Sequence, residues 1–196
     1  MKKYLFAGIA LMGLLYGCKP EVTLPKPRGY FKLDLPEKHQ YHKFDSTGFP
    51  FTFDYPVYGT IVQDTNLIKE ENQPYWINIS VPQLNAMVYL SYKEIKPGMS
   101  LNNLVQESYK LTNAHNTKAD FIEAPDFRTP SGLNGVFYTV GGNAASTYQF
   151  YVTDNNRHFL RGSLYFNSLP NADSIAPAAE FLKKDIEYMI NTLKFR

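Results

Sequence analysis

Along GFPFTFDYP (48–56), Phe49, Phe51, Phe53 and Tyr55 fall on one face at every second position. That period predicts a strand, and the prolines around it predict a place at a sheet edge. WINISV (76–81) and MVYLSYKEI (87–95) predict two further strands, connected through Pro82-Gln83-Leu84-Asn85. Then the period changes. Leu101, Leu104, Val105, Ser108, Leu111 and Thr112 follow helical spacing after Pro97-Gly98, with Ser100 as the N-cap. A short extended piece near Ala119–Glu123 precedes three strands, GVFYTV (135–140), STYQFYVT (146–153) and HFLRGSLYF (158–166). Their joins, Gly141-Gly142-Asn143-Ala144-Ala145 and Asp154-Asn155-Asn156-Arg157, carry the residues that tight turns demand. After Asp173-Ser174 a long helix is predicted, with Leu182, Ile186, Met189 and Leu193 as its apolar stripe and Lys183, Lys184 and Glu187 facing water. Strands, helix, strands, helix predict an α+β fold: an antiparallel β-sheet with a mid-chain helix and a long C-terminal helix packed on it.

The start of the chain departs from this pattern. Lys2 and Lys3 precede an apolar run from Tyr4 to Tyr16, and Leu15-Tyr16-Gly17-Cys18 ends it. A positive start, an apolar stretch and a small residue before the cut make a secretory signal. Lys19 and Pro20 follow at once, too early for a membrane-spanning helix of about 20 apolar residues. A cysteine directly after the small residue makes this a lipoprotein signal, with Cys18 as the lipid attachment point. Tyr16 is bulkier than usual at its place. Residues 19–29, KPEVTLPKPRG, hold three prolines and no amphipathic period, and read as an extended tether. The predicted organisation is a signal peptide over 1–17, a Pro-rich tether over 18–29 and a single α+β domain over 30–196.

Composition changes one inference. The whole chain has 20 Lys+Arg against 18 Asp+Glu, yet residues 1–17 contain two lysines and no acid. The remainder is therefore balanced at 18 each, without the basic excess that a nucleic-acid partner would call for. Cys18 is the only cysteine, so no disulfide forms within one copy.

Candidate chemistry is sparse. His39 and His42 lie near Asp45, but the spacing matches no metal motif, and a polar surface loop is expected there. His115 at a helix end and His158 at a strand start have no identifiable partner. Gly141-Gly142-Asn143 leads into a strand rather than a helix, so it offers no phosphate site and reads as a turn needing positive φ. Glu70-Glu71 and Glu123/Asp126 read as solvated carboxylates. No G-x-S-x-G turn is present. No catalytic residue, cofactor or metal is predicted, and no small-molecule substrate.

The informative feature is aromatic: 15 Tyr, 14 Phe and 1 Trp. Tyr89, beside Val88 and Leu90, and Tyr151, beside Phe150 and Val152, fall on the opposite face of apolar strands. They are candidate partner-contact residues, because large amphipathic rings favour contact surfaces. The alternative, that the protein itself covers both faces, stays open.

In element order the chain resembles the PsbP-like folds. In sequence it resembles the gliding-motility lipoprotein GldD family of Bacteroidota. The resemblance runs through PKPRGYFKLDLPEKHQYHKFD (25–45), FPFTFDYPVYGTI (49–61), VYLSYKEI (88–95) and YKLTNAHNTKAD (109–120), and then through residues 136–186. It implies a periplasm-facing lipoprotein needed for gliding and type IX secretion, with other gliding lipoproteins and secretion components as partners and no assigned enzymatic activity. It also implies two cysteines near Phe49 and Tyr75; this chain has neither, so packing is expected to pin the first strand. Within residues 19–29, directly after Cys18, only Glu21 is acidic, unlike the acidic cluster that looks like a surface-export signal in that phylum. A periplasm-facing anchor is expected, with the outer membrane's inner leaflet preferred. Against this stands a second reading, a periplasmic ligand-binding lipoprotein with an apolar pocket between helix and sheet.

Overall fold

Burial alternates along Ile77–Val81 (β4) and Ala86–Glu94 (β5), so one face of this hairpin is core and the other meets water or a covering element. The computed structural model describes residues 34–196, apart from 64, 66, 67 and 70–73. The signal peptide, the tether, Cys18 and the Glu70-Glu71 pair lie outside the described residues. β4 pairs with Thr60–Val62 (β3) on one side and β5 on the other. A 3-10 turn at Pro82–Leu84 connects β4 to β5, and Asn85 closes it with a left-handed φ of 50°. Next comes α1 (Leu101–Asn113), with Ser100 at the predicted N-cap, although its hydroxyl makes no capping bond. Leu104, Ser108 and Thr112 are buried on α1, while Leu111 is exposed, which narrows the predicted stripe.

Ala119–Glu123 (β6) and Asp126–Arg128 (β7) both pair with Asn134–Gly142 (β8), completing its outer edge in two pieces. Ser146–Thr153 (β9) and His158–Phe166 (β10) follow as predicted. Gly142 turns the chain between β8 and β9 at a φ of +83°, and a Cβ there would meet the Asp120 backbone nitrogen at 2.7 Å. In the β9–β10 turn the Asp154 carboxylate accepts the N–H groups of Asn156 (3.0 Å), Arg157 (2.9 Å) and His158 (2.9 Å). Burial pulls this carboxyl upward, but the three backbone donors outweigh it and hold the group below its usual range. The sheet is antiparallel, in the order β3-β4-β5-β10-β9-β8-β6, with β7 beside β8.

The long helix α2 (Ala172–Thr192) starts at Asn171, whose side chain accepts from the Ser174 N–H, as an N-cap should. Leu182, Ile186 and Met189 face the sheet as predicted, and Leu193 just past the helix end is buried with them. Burying each such side chain contributes about 1.5–3 kcal/mol. Opposite them lie Ile79, Val88 and Leu164, within one core cluster. Gly162 sits in this layer because Phe150 occupies its side-chain space: a Cβ would lie 2.1 Å from Phe150 Cζ.

The predicted first strand differs in its surroundings. Phe51–Pro56 (β2) is the centre of a separate three-stranded sheet, between Tyr41–Phe44 (β1) and Lys194–Phe195 (β11). Pro50 and Pro56 therefore bound a doubly paired strand rather than mark an edge. Between them every residue keeps its N–H, and Pro50 still offers a carbonyl, which accepts from Arg196 N at 2.9 Å. Phe51 and Phe53 are both buried, and Phe51 meets Tyr92 of the large sheet at 5.5 Å between ring centroids. Where the family resemblance implies two cysteines, the rings of Phe49 and Tyr75 meet edge to face at 5.7 Å. Packing does hold that place.

The result is three layers: α1, the large sheet, and a third layer of α2 beside the small sheet. The α+β expectation, with antiparallel strands and two helices, is what the structure shows.

Candidate functional site

Pleating assigns the α1 side of the large sheet. Cross-strand partners share a face, so Ser80, Met87 and Tyr165 lie in one row, Asn78, Tyr89 and Ser163 in the next, and Ser91 and Arg161 in a third. α1 covers only part of this face. Under it, Tyr151 packs with Leu104, Val136, Tyr138 and Phe159 in a second small core. Tyr151 is 8% exposed and stacks on Phe159 at 5.2 Å, which corrects its expected role in a partner contact. The mid-chain helix takes the place reserved for a partner there.

Tyr89 is different. It is 47% exposed, and Tyr165 meets it edge to face at 5.6 Å. With Ser80, Met87 and Phe166 the two tyrosines line an open hollow of about 780 Å³. Tyr89 also borders a narrower groove of about 260 Å³ between α1 and the sheet, walled by Trp76, Leu104, Leu111 and Phe159. Arg161 lies in that groove and donates to Ser163 Oγ (2.9 Å) and Gln149 Oε1. Lys93 and Glu107 pair across its rim at 3.0 Å.

A third cluster lies on the far side of the molecule's core. Asp185 of α2 is 3% exposed, yet it carries a carboxylate. It accepts from the Tyr41 hydroxyl at 3.0 Å and from the Tyr58 hydroxyl, and His39 Nδ1 lies 2.6 Å away. Burial first, and the Asp185 carboxylate second, push both phenols well above their ordinary value, so they stay neutral donors. Tyr41 also stacks on Tyr188 at 3.8 Å, and His39 on Phe181 at 4.4 Å. The stretch expected to be a polar surface loop is thus a strand clasped onto α2. His42, beside Tyr55 at 6.0 Å, and Asp45, bonded to Lys43 at 2.7 Å, remain outside the cluster. The arrangement is a His–Asp pair with phenol donors. It ties the segment around His39 and Tyr41 to α2 through Asp185.

The remaining histidines also acquire surroundings. His158 Nδ1 lies 2.7 Å from the Tyr92 hydroxyl, and its ring stacks on Phe195 at 4.8 Å, so it does have a partner. Burial holds His158 below its ordinary value and pushes Tyr92 up to about 12. The neutral ring can then accept from the neutral phenol. His115 is likewise lowered by burial, and by Arg161 to a lesser degree. Glu123 ends β6 and Asp126 begins β7; both are exposed. Among the described residues, no three His, Cys, Asp or Glu side chains converge as a metal site would require. Cys18 falls outside the described residues.

Asp185 and Arg161 escaped sequence reasoning, although each left a signal. Asp185 falls at helical spacing with Leu182, Ile186 and Met189, so an acid sits on an apolar stripe. Arg161 interrupts an apolar strand, in HFLRGSLYF.

Fold and surface together define a class: an α+β domain of two antiparallel sheets, with an aromatic sheet face left partly uncovered. Residues 20–195 match the model of the gliding motility lipoprotein GldD family, and the chain belongs to that family. Membrane anchoring follows from membership of a lipoprotein family, and protein partners in the motility machinery fit it. Among the described residues no helix is long and apolar enough to cross a membrane. Among solved structures, cyanobacterial PsbP from Synechocystis sp. PCC 6803 is similar at a TM-score of 0.48 and 12% identity. That match covers 93% of this chain and 99% of PsbP. Among curated proteins none matches.

Proposed function

We propose that this protein is tethered by a lipid on Cys18, faces the periplasm, and serves gliding and type IX secretion through protein–protein contacts. The periplasm-facing reading is supported by the single acid, Glu21, in residues 19–29, where a surface-export signal would carry an acidic cluster; the outer membrane's inner leaflet is preferred over the cytoplasmic membrane. Acylation at Cys18 makes a strong anchor, since each buried methylene adds about 0.8 kcal/mol.

One observation supports the contact reading above the others: exposed Tyr89 against half-buried Tyr165 in an open hollow on the sheet face that α1 leaves uncovered. The core beneath α2 is filled, with only about 10 Å³ of free space beside Leu182 and Met189. Aromatic surface left exposed beside a filled core is the pattern of a contact patch. The partners are taken to be other gliding lipoproteins and type IX secretion components.

Three experiments test this. Labelled palmitate should enter the wild type and not Cys18→Ser; incorporation in both contradicts acylation at that residue. A photocrosslinker placed at Tyr89 in the intact envelope should capture a gliding lipoprotein or a secretion component. Deletion should stop type IX cargo release and colony spreading; if both continue, the proposal is wrong.

A further inference from the structure

The groove between α1 and the sheet contains a positive charge, Arg161, that Glu107 acts on only from beyond salt-bridge distance. Arg161 has five N–H donors, and Ser163 and Gln149 accept from two of its nitrogens. Among the described residues no carboxylate pairs with it. Glu107, the acid lining the same groove, is engaged by Lys93. Arg161 is half-buried, and a charge drawn even partly out of water is ordinarily paired. Burial accordingly lowers the Arg161 guanidinium from its usual value.

A second observation is independent of that charge. Ser108 lines the groove at 1% exposure, and its hydroxyl has no hydrogen-bond partner. A serine inside a helix commonly turns back to a carbonyl one turn earlier. Here Thr112 does so, bonding to the Ser108 carbonyl at 3.0 Å, while Ser108 itself does not. Buried polar atoms without partners are rare and call for an explanation. The third observation is the wall: Trp76, Leu104, Leu111 and Phe159 surround about 260 Å³, near the small end of ligand-site sizes.

We infer that this groove binds a small anionic amphiphile, of the class of medium-chain carboxylates. Its carboxylate meets Arg161 and the Ser108 hydroxyl, which turns out of the groove wall to reach it, and its chain lies along Leu104, Leu111 and Trp76. A planar carboxylate suits the free edge of a guanidinium, and its single charge balances the single unpaired cation. A doubly charged phosphate would leave one charge unmatched beside Glu107. This site extends the protein's role beyond contact-making and does not rest on the contact surface.

Trp76 is the sole tryptophan and lines the groove, so its emission reports occupancy directly. The full chain carrying Cys18→Ser, which removes any competing lipid, is titrated with octanoate and with octanol. Octanoate should shift Trp76 emission saturably and bind at least about tenfold more tightly than octanol. Arg161→Gln should weaken octanoate about tenfold or more, and Ser108→Leu, which fills the groove, should abolish binding. The absence of a saturable octanoate response in the folded protein overturns the inference, as does an equal response to octanol. Where Arg161→Gln does not fold, Ser108→Leu decides: octanoate binding that persists in a folded Ser108→Leu protein also overturns it.

Discussion

Replacing Asp185 with alanine should destabilise the protein more than its place on a helix surrounded by lysines suggests. Its carboxylate is 3% exposed and is the common acceptor for Tyr41, Tyr58 and His39. A hydrogen bond to a charged group contributes about 1.5–3 kcal/mol when buried. The His39 contact is worth less, because that side chain is 31% exposed and water screens it. Two phenol bonds at the lower end of that range, with little from His39, give a loss of about 3–4 kcal/mol. That agrees with the cost of removing one partner from a buried ionic cluster. In a domain of this size each kcal/mol lowers the melting temperature by about 2–4 °C, so a fall of roughly 6–15 °C is expected. Urea denaturation of Asp185→Ala, Tyr58→Phe and the double variant measures the loss and its coupling. Asp185→Ala and Tyr58→Phe should be non-additive by at least about 0.5 kcal/mol. A loss below about 1 kcal/mol, or strictly additive variants, would refute the clasp.

The two candidate contact tyrosines should separate cleanly. Tyr151→Ala opens the small core under α1 and should cost about 3 kcal/mol in urea denaturation, whereas Tyr89→Ala should stay within about 0.5 kcal/mol of the wild type. Similar losses would undo the assignment of one to core and the other to surface. Gly162→Ala should cost about 1–3 kcal/mol, because its methyl runs into Phe150, and Phe150→Leu should recover part of it; a neutral Gly162→Ala would show that the ring yields freely. For pH, His158 and His115 are both lowered by burial in the folded state. The unfolded chain then binds more protons, so stability is complete above the ordinary imidazole value of about 6.5 and declines as pH falls through it. The melting temperature should drop between pH 7.5 and 5.5, and less steeply in His158→Gln; equal slopes would exclude His158 as a source.

Periodicity made most of the large sheet legible. β4 and β5 carry a clear alternation, β8, β9 and β10 are short apolar runs bounded by turns, and those turns hold Asn85, Gly142 and Asp154, residues that turn geometry requires. α2 was equally plain from Leu182, Ile186 and Met189. The small sheet was less so. Tyr41–Phe44 is only four residues of mixed polarity, and its partner β11 is two residues after a helix. Such short strands have no period of their own; pairing to β2 and stacking of Tyr41 on Tyr188 create them. The site divides the same way. Tyr89 could be picked out because it opposes apolar neighbours on an exposed strand. Tyr151 has the same local pattern, and only the position of α1 tells the two apart. A local pattern marks Arg161 and Asp185 as out of place on apolar surfaces, but their partners lie 12 and 144 residues away in sequence, so their roles do not follow from it.

The uncovered aromatic face is proposed to serve the secretion and gliding machinery. The most direct test is to replace the chromosomal copy with Tyr89→Ser/Tyr165→Ser and measure release of type IX cargo. The variant should accumulate and melt like the wild type but lose cargo release. Normal release from cells in which the double variant is the only copy would contradict the claim.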